Sequence, residues 1–296
     1  MPETALIALA ALRRHKRAHG VYPNLISPKT FSEKVLYRMV FDRRPILIRL
    51  QDKYGARDYV RDRIGEHVLP RIYWVTKTPV DIPFDDLPDK FVVKATHGSG
   101  WVYLVPDKAR LDQRDLLDRC TCWLRWNYYH DEREWAYKHI DPRIIVEEFI
   151  SDGTGSVPVD YKFCVFGGKV HFIWAIVGRF TDFRIDGYTP SWDRLEMTTR
   201  SKSIGPMPRP AHLDEMLAYA EILGDGLDFL RVDLYDADKV YFGEMTLYPD
   251  AGGEFRNRKW NRYFGERWNL WNRSPRRGKA DGVIPTNPQG PHRHRG

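Results

Sequence analysis

The chain has 296 residues, 14% of them aromatic and 10 of them Trp, with a formal net charge of +7. That length and aromatic content exclude a disordered chain and allow one large domain or two modest ones. The charge sits unevenly: residues 273–296, RSPRRGKADGVIPTNPQGPHRHRG, hold six Lys/Arg against one Asp, so the rest is nearly neutral and does not have the profile of a nucleic-acid binder.

The N-terminal run MPETALIALAALRRHKRAHG carries its charges after the apolar stretch, the reverse of a signal peptide. No segment reaches the roughly 18 apolar residues of a membrane span. The expectation is a cytoplasmic protein with no transmembrane segment, with a peripheral contact to the inner face of the membrane left open. Helical spacing covers 3–18 and 31–41, and Thr30 with Glu33 has the capping-box interval ahead of FSEKVLYRMVF. A further helix is expected over 51–67, where Tyr54, Ala56, Tyr59, Val60 and Ile64 fall near one face.

From residue 68 the periodicity changes. VLPRIYWV reads as a strand, FVVKATHGSGWVYLV (91–105) as a hairpin, 109–129 as a helix and RIIVEEFI (143–150) as a strand. DYKFCVFGGKVHFIWAIVG (160–178) reads as a hairpin turning at Gly167-Gly168, and HLDEMLAYAEILGDG (212–226) as an amphipathic helix ending at glycines. DFLRVDLYDADKVYFGEMTLYP (228–249) reads as a last hairpin turning at Asp236-Ala237-Asp238. This order is α+β and not a regular βαβ alternation. No GxGxxG follows a first strand and no GxxxxGK[ST] occurs, which argues against a dinucleotide fold and a P-loop. Cys120, Cys122 and Cys164 form no disulfide framework and no CxxC pair, and are expected to be reduced.

Three stretches carry candidate chemistry. Lys94 ends a strand and is followed by His97-Gly98-Ser99-Gly100. This is either a tight turn beside a solvated lysine, or a flap whose backbone N–H groups cradle phosphate. In the last hairpin, Arg231 and Asp233 share one strand face, and Glu244 and Thr246 share another. Two carboxylates converging across such a hairpin repel unless a cation lies between them. Oxygen ligands without thiolates suit Mg²⁺, and Arg231 would point at the same phosphates. An ordinary polar face with Arg231 in a salt bridge remains the alternative. Between these stretches lie Glu147-Glu148, at the end of an apolar strand, and Asp160 and Lys162. The combination is a parts list for an ATP site between two antiparallel sheets.

At this point the pattern resembles the ATP-grasp superfamily, and within it the TupA-like family of teichuronopeptide biosynthesis. The matching stretches are PKTFSEK, LQDKYGARDYV, LPDKFVVKATHGSGW, RIIVEEFI, DYKFCVFGGKV and RVDLYDADKVYFGEMTLYPDAGG, in order over 28–253. The resemblance implies an ATP-grasp fold with a helical N-terminal region (1–67), two subdomains (68–142 and 143–272) and a disordered basic tail (273–296). It implies ATP and Mg²⁺ as cofactors. Lys53 and Lys94 would contact the phosphates, and His97, Gly98, Ser99 and Gly100 would close over them. Glu147 would lie near adenine, flanked by Glu148 and Phe149, with Asp160 at the ribose and Lys162 elsewhere in the nucleotide site. Asp233, Glu244 and Thr246 would hold Mg²⁺; threonine stands where many such ligases carry Asn. Arg231 and Lys94 would be catalytic. The implied reaction joins a small-molecule or glycan-linked carboxylate to an amine, such as an amino acid, through an acyl phosphate. Nucleic acid is not an expected partner.

The acceptor site does not carry over from the resemblance. Arg179, Arg184, Arg256 and Arg258 are candidates there for an anionic substrate. A nucleotide-sugar glycosyltransferase is the competing enzyme class, with Asp236-Ala237-Asp238 as its only metal-type motif. A nucleic-acid binder and an ATP-grasp fold that binds without catalysing are the remaining classes.

Overall fold

The structure, a computed structural model, describes residues 2–153, 156–197 and 201–270. The expected disordered tail at 273–296 lies outside the described residues.

Four helices lead: α1 (Glu3–His19), α2 (Phe31–Phe41), α3 (Pro45–Gln51) and α4 (Gly55–Ile64). α2 starts where the capping box places it, with the Thr30 side chain accepting from Glu33 N–H and Glu33 accepting from Thr30 N–H. The single helix expected over 51–67 is instead α4 alone, with α3 ahead of it. Asp52 breaks them apart by accepting from Tyr54 N–H at 2.9 Å, an Asx-type turn. Lys53 therefore sits in a turn and not on a helix.

The first sheet contains β1 (Ile72–Thr76), β2 (Phe91–Ala95), β3 (Val102–Val105) and β4 (Ile144–Glu148), antiparallel in the order β1-β4-β2-β3. α5 (Gln113–Arg125) and α6 (Tyr129–Glu132) lie between β3 and β4 in the chain. Alternation sends Phe91, Val93, Ala95, Ile144 and Val146 into one core with Leu116 and Cys120 of α5. Val92, Lys94, Val102, Leu104 and Glu147 share the opposite face and line a cleft. Residues 144–148 thus belong to the first sheet, because β4 supplies the partner that β1 and β2 both need. The subdomain boundary expected at 142/143 is corrected to a point beyond β4.

The second sheet contains β5 (Asp160–Phe166), β6 (Lys169–Val177), β7 (Arg184–Tyr188), β8 (Arg194–Leu195), β9 (Phe229–Asp236) and β10 (Val240–Thr246), antiparallel in the order β10-β9-β5-β6-β7-β8. α7 (Leu213–Gly224) packs Leu213, Met216, Ala220 and Leu223 into the core that holds Phe163, Val165 and Val232. α8 (Arg258–Arg267) closes the described chain. It approaches the start of α2 so closely that a Cβ on Gly265 would lie 2.2 Å from the Lys29 carbonyl oxygen.

The N-terminal helices share the second sheet's core. Phe31, Val35, Leu36 and Met39 bury with Phe229 and Trp268. Arg38, 1% exposed, donates to Asp228 at 2.8 Å and to the carbonyls of Phe229 and Leu247. All three cysteines are free thiols. Among the described residues no helix is long and apolar enough to cross a membrane.

Candidate active site

β2, β3 and β4 present an apolar wall of Val92, Val102 and Leu104, and within it the ion pair of Lys94 with Glu147. Glu147 sits across from Val92 in register, so it and Lys94 share the face directed at the second sheet. The segment leaving β4 adds Glu148, Phe149 and Ile150, and Val157, Pro158 and Phe180 complete the apolar lining. From β9 and β10 come Tyr235, Gly243 and Glu244, and from the loop after β6 comes Arg179. The cleft is open to solvent between the two sheets.

The polar end forms on β9, β10 and β5. Gly243 bulges out of β10, so Glu244 stands opposite Asp233 and Thr246 opposite Arg231. Lys162 stands opposite Asp233 on the other side. Asp233, 1% exposed, accepts two hydrogen bonds from Arg231 at 2.8 and 2.9 Å and one from Lys162. Arg231 also donates to the Thr246 hydroxyl at 2.8 Å.

Lys53 joins the two halves. Its Nζ donates to the Gly98 carbonyl at 3.0 Å and pairs with Glu244 at 2.8 Å, and its N–H donates to the Thr96 carbonyl at 3.2 Å. Burial alone would raise the Glu244 carboxyl. Lys53, Arg179, Lys162 and Arg231 outweigh it and hold the group well below the usual carboxylate range.

The donor set fits Mg²⁺ held jointly with phosphate. Asp233, Glu244 and Thr246 supply hard oxygens only, and each touches a cation or a donor that a phosphate could take over. Asp160 Oδ1 is buried without a hydrogen-bond partner. Among the described residues no three His, Cys, Asp or Glu side chains form a ready-made cage. Mg²⁺ held by one or two of these carboxylates would fill its shell with phosphates and water.

Several expected roles shift. The His97 ring turns away from the cleft: Nε2 hydrogen-bonds the Trp123 carbonyl at 2.9 Å, and the ring packs edge-on against Trp101. Gly98 is glycine because a Cβ would lie 2.3 Å from the Trp101 ring. Gly100, at φ 75°, lines the cleft, and Ser99 lines the adjoining cavity. Asp160 does not line that main cleft; it is committed to Lys162 at 2.8 Å and Arg179 at 2.7 Å. Arg179, expected at an acceptor site, is the group that reaches the cleft. Arg184 pairs with Asp182 at the surface, and Arg258 begins α8 as an exposed residue, so neither lines a cavity.

Two further cavities follow from the polar end. One shares Arg179 and Glu244 with the cleft and adds Lys162, Arg231, Glu132, Glu134 and Asp250. The next shares Lys162, Arg231 and Asp250 with it and adds Trp174, Trp260, Glu254 and Arg256. Glu134 and Glu254 did not stand out in the sequence, since no motif contains them. Asp250 and Ala251 hold left-handed backbone, φ 45° and 44°, at roughly 1–3 kcal/mol each.

A family model described as TupA-like ATPgrasp matches residues 33–269. No curated protein matched the chain. Among solved structures, the chain is similar to D-alanine–D-alanine ligase from Bacillus anthracis complexed with ATP: 18% identity, TM-score 0.40, covering 67% of this chain and 54% of that one. It is also similar to ATP-grasp ligase PsnB complexed with a phosphomimetic precursor variant, Mg and ADP: 15% identity, TM-score 0.37, covering 69% and 52%. A third is N5-carboxyaminoimidazole synthetase from Staphylococcus aureus complexed with ADP: 11% identity, TM-score 0.42, covering 67% and 45%. The chain spans about half the length of these structures.

Proposed function

The chain belongs to the TupA-like ATP-grasp family, and we propose that it is an ATP- and Mg-dependent ligase that joins a carboxylate to an amine. The observation that carries this is the placing of Lys94, Lys53 and Glu244 on one cleft, with Lys53 paired to Glu244 and the Arg231–Asp233 pair standing beside Glu244 on β9. Adenine would lie between the apolar wall of β2–β4 and Tyr235, with Glu147 and Glu148 beside it. Lys94, Lys53 and Lys162 would exchange their carboxylate partners for phosphate oxygens. Asp233, Glu244 and Thr246 would hold Mg²⁺, which neutralises phosphate charge during transfer. A substrate carboxylate oxygen attacks the γ-phosphorus, ADP leaves and an acyl phosphate remains. The amine nitrogen then attacks the acyl carbon, phosphate leaves and an amide forms. Arg231 would stabilise the transferring group, and the 97–100 segment would keep water from the acyl phosphate.

The resemblance to teichuronopeptide biosynthesis suggests a uronic-acid-type carboxylate and an amino acid, in assembly of a cell-surface polysaccharide or peptide polymer. The glycosyltransferase reading loses its motif, because Asp236 is held by His212 at 2.6 Å and does not line the cleft. The test is ADP release from Mg-ATP in the presence of glucuronate or galacturonate with and without amino acids, with products read by mass spectrometry. ADP release tied to an amide product supports the ligase. Binding and turnover of a UDP-sugar in place of Mg-ATP would replace it.

A further inference from the structure

Glu134 immediately precedes the short 3₁₀ turn Trp135–His139 but does not cap it. It is 7% exposed, and its carboxylate makes no hydrogen bond or ion pair with any described residue. It lines the cavity that adjoins the nucleotide cleft through Arg179 and Glu244. A largely buried carboxylate without a protein partner is costly unless it is protonated, hydrated from the cavity it lines or met by a cation entering that cavity.

Lys162, Arg179 and Arg231 line the same cavity, but Lys162 is paired with Asp160 and Asp233 and Arg179 with Asp160, and none is paired with Glu134. Glu132 on the same segment and Asp250 from the 249–252 turn are acidic. Arg14 of α1 is already engaged by the Glu132 carboxylate and carbonyl. Arg231 of β9 is committed to Asp233 and Thr246. Asp250 sits on strained left-handed backbone that fixes its place at this cavity.

The geometry points to Glu134 as the seat of the incoming amine: its carboxylate holds the substrate's ammonium group beside Arg231 and Glu244 and is the first acceptor of its proton. This rests on the ligase reading and adds the amine's place to it. Burial first, and then Glu132, push the Glu134 carboxyl up to about 8. A carboxyl raised this far accepts an ammonium proton at a smaller penalty than an ordinary carboxylate would. One proton of R–NH₃⁺ goes to Glu134, the nitrogen lone pair forms the C–N bond, and the C–O bond to phosphate breaks. The second proton leaves with the departing phosphate, and Glu134 returns its own proton to solvent.

The experiment is thermal unfolding with Mg-ATP, and separately with glycine, L-alanine, L-glutamate or L-lysine in the presence of Mg-ADP. It compares wild type, Glu134→Gln and Asp250→Asn. Glutamine keeps the shape without the charge, and Asn tolerates the left-handed backbone as Asp does. At least one amino acid should shift wild type, lose that shift in Glu134→Gln and lose part of it in Asp250→Asn, while all three proteins keep the Mg-ATP shift. Calorimetry of the binding amino acid near pH 7 in two buffers of different ionisation enthalpy should show close to one proton released per amine bound to wild type. The inference is overturned if Glu134→Gln keeps the amino-acid shift, or if no amino acid shifts a wild type that responds to Mg-ATP. Absence of the Mg-ATP shift itself in wild type would instead overturn the nucleotide reading, and this inference with it.

Discussion

Glu244, proposed as a Mg²⁺ ligand, is already paired with Lys53 in the protein alone. Lys53, Arg179, Lys162 and Arg231 hold it ionised against its burial. A carboxyl depressed in the folded state contributes stability above its unfolded pKa of about 4.3, and that contribution fades as pH falls toward the folded value. Nucleotide binding through Glu244 should therefore be insensitive to pH between about 6 and 8. Glu244→Gln should remove Mg-ATP turnover by at least about tenfold, a loss of roughly 1.4 kcal/mol or more in barrier terms, with an unchanged circular dichroism spectrum. Full turnover in that variant would remove Glu244 from the metal site. That Arg231 shares a face with Asp233, and Glu244 with Thr246, was legible in the sequence because side chains alternate along a strand. The commitment of Asp160 to Lys162 and Arg179 was not, since Arg179 reaches Asp160 only from the loop after β6.

Close approach decides more than propensity at the level of elements. Gly265 lets α8 lie against the start of α2, and Gly265→Ala would press a Cβ into backbone that cannot move aside. Overpacking of this kind costs about 1–3 kcal/mol. Urea unfolding of that variant should show a lower midpoint with an unchanged slope; an unchanged midpoint would mean that α8 moves freely. The hairpins were readable from their alternation and turns, but the bulge at Gly243 that sets Glu244 opposite Asp233 was not. α3, β7, β8 and α8 were missed for separate reasons. PILIRLQ is too short to show a period, and RIDGY has no clear alternation. RKWNRYFGER places charge around its few apolar residues, so its buried face is visible only once Asn261 and Phe264 are packed. β4 was recognised as a strand, but its sheet was not, because pairing with β1 and β2 is set by contacts distant in sequence.

For the whole molecule, the Arg38–Asp228 pair fastens the N-terminal helices to the second sheet. Burial raises the Asp228 carboxyl, but Arg38 and Arg44 outweigh it and hold the group below its usual value. Its stabilisation is complete above the unfolded pKa of about 3.9 and declines as pH falls through the folded value. Asp228→Asn, which leaves Arg38 charged and buried, should cost roughly 3–5 kcal/mol and lower the thermal midpoint by about 10 °C or more. A loss under about 1 kcal/mol would show the helices to be weakly attached. The ordered motifs made the family and the α+β class legible. They did not reveal that residues 1–67 complete the second sheet's core, because that core joins Phe31 to Phe229 across most of the chain.

The central claim, a Mg-ATP cleft between the two sheets, is tested most directly by thermal unfolding of wild type and Lys94→Ala with Mg-ATP. A ligand at about 100 times its Kd adds roughly 2.7 kcal/mol, enough to raise the midpoint by several degrees. That rise is expected in wild type and not in Lys94→Ala; an equal rise in both, or a rise with a UDP-sugar alone, would contradict a Mg-ATP site built on Lys94.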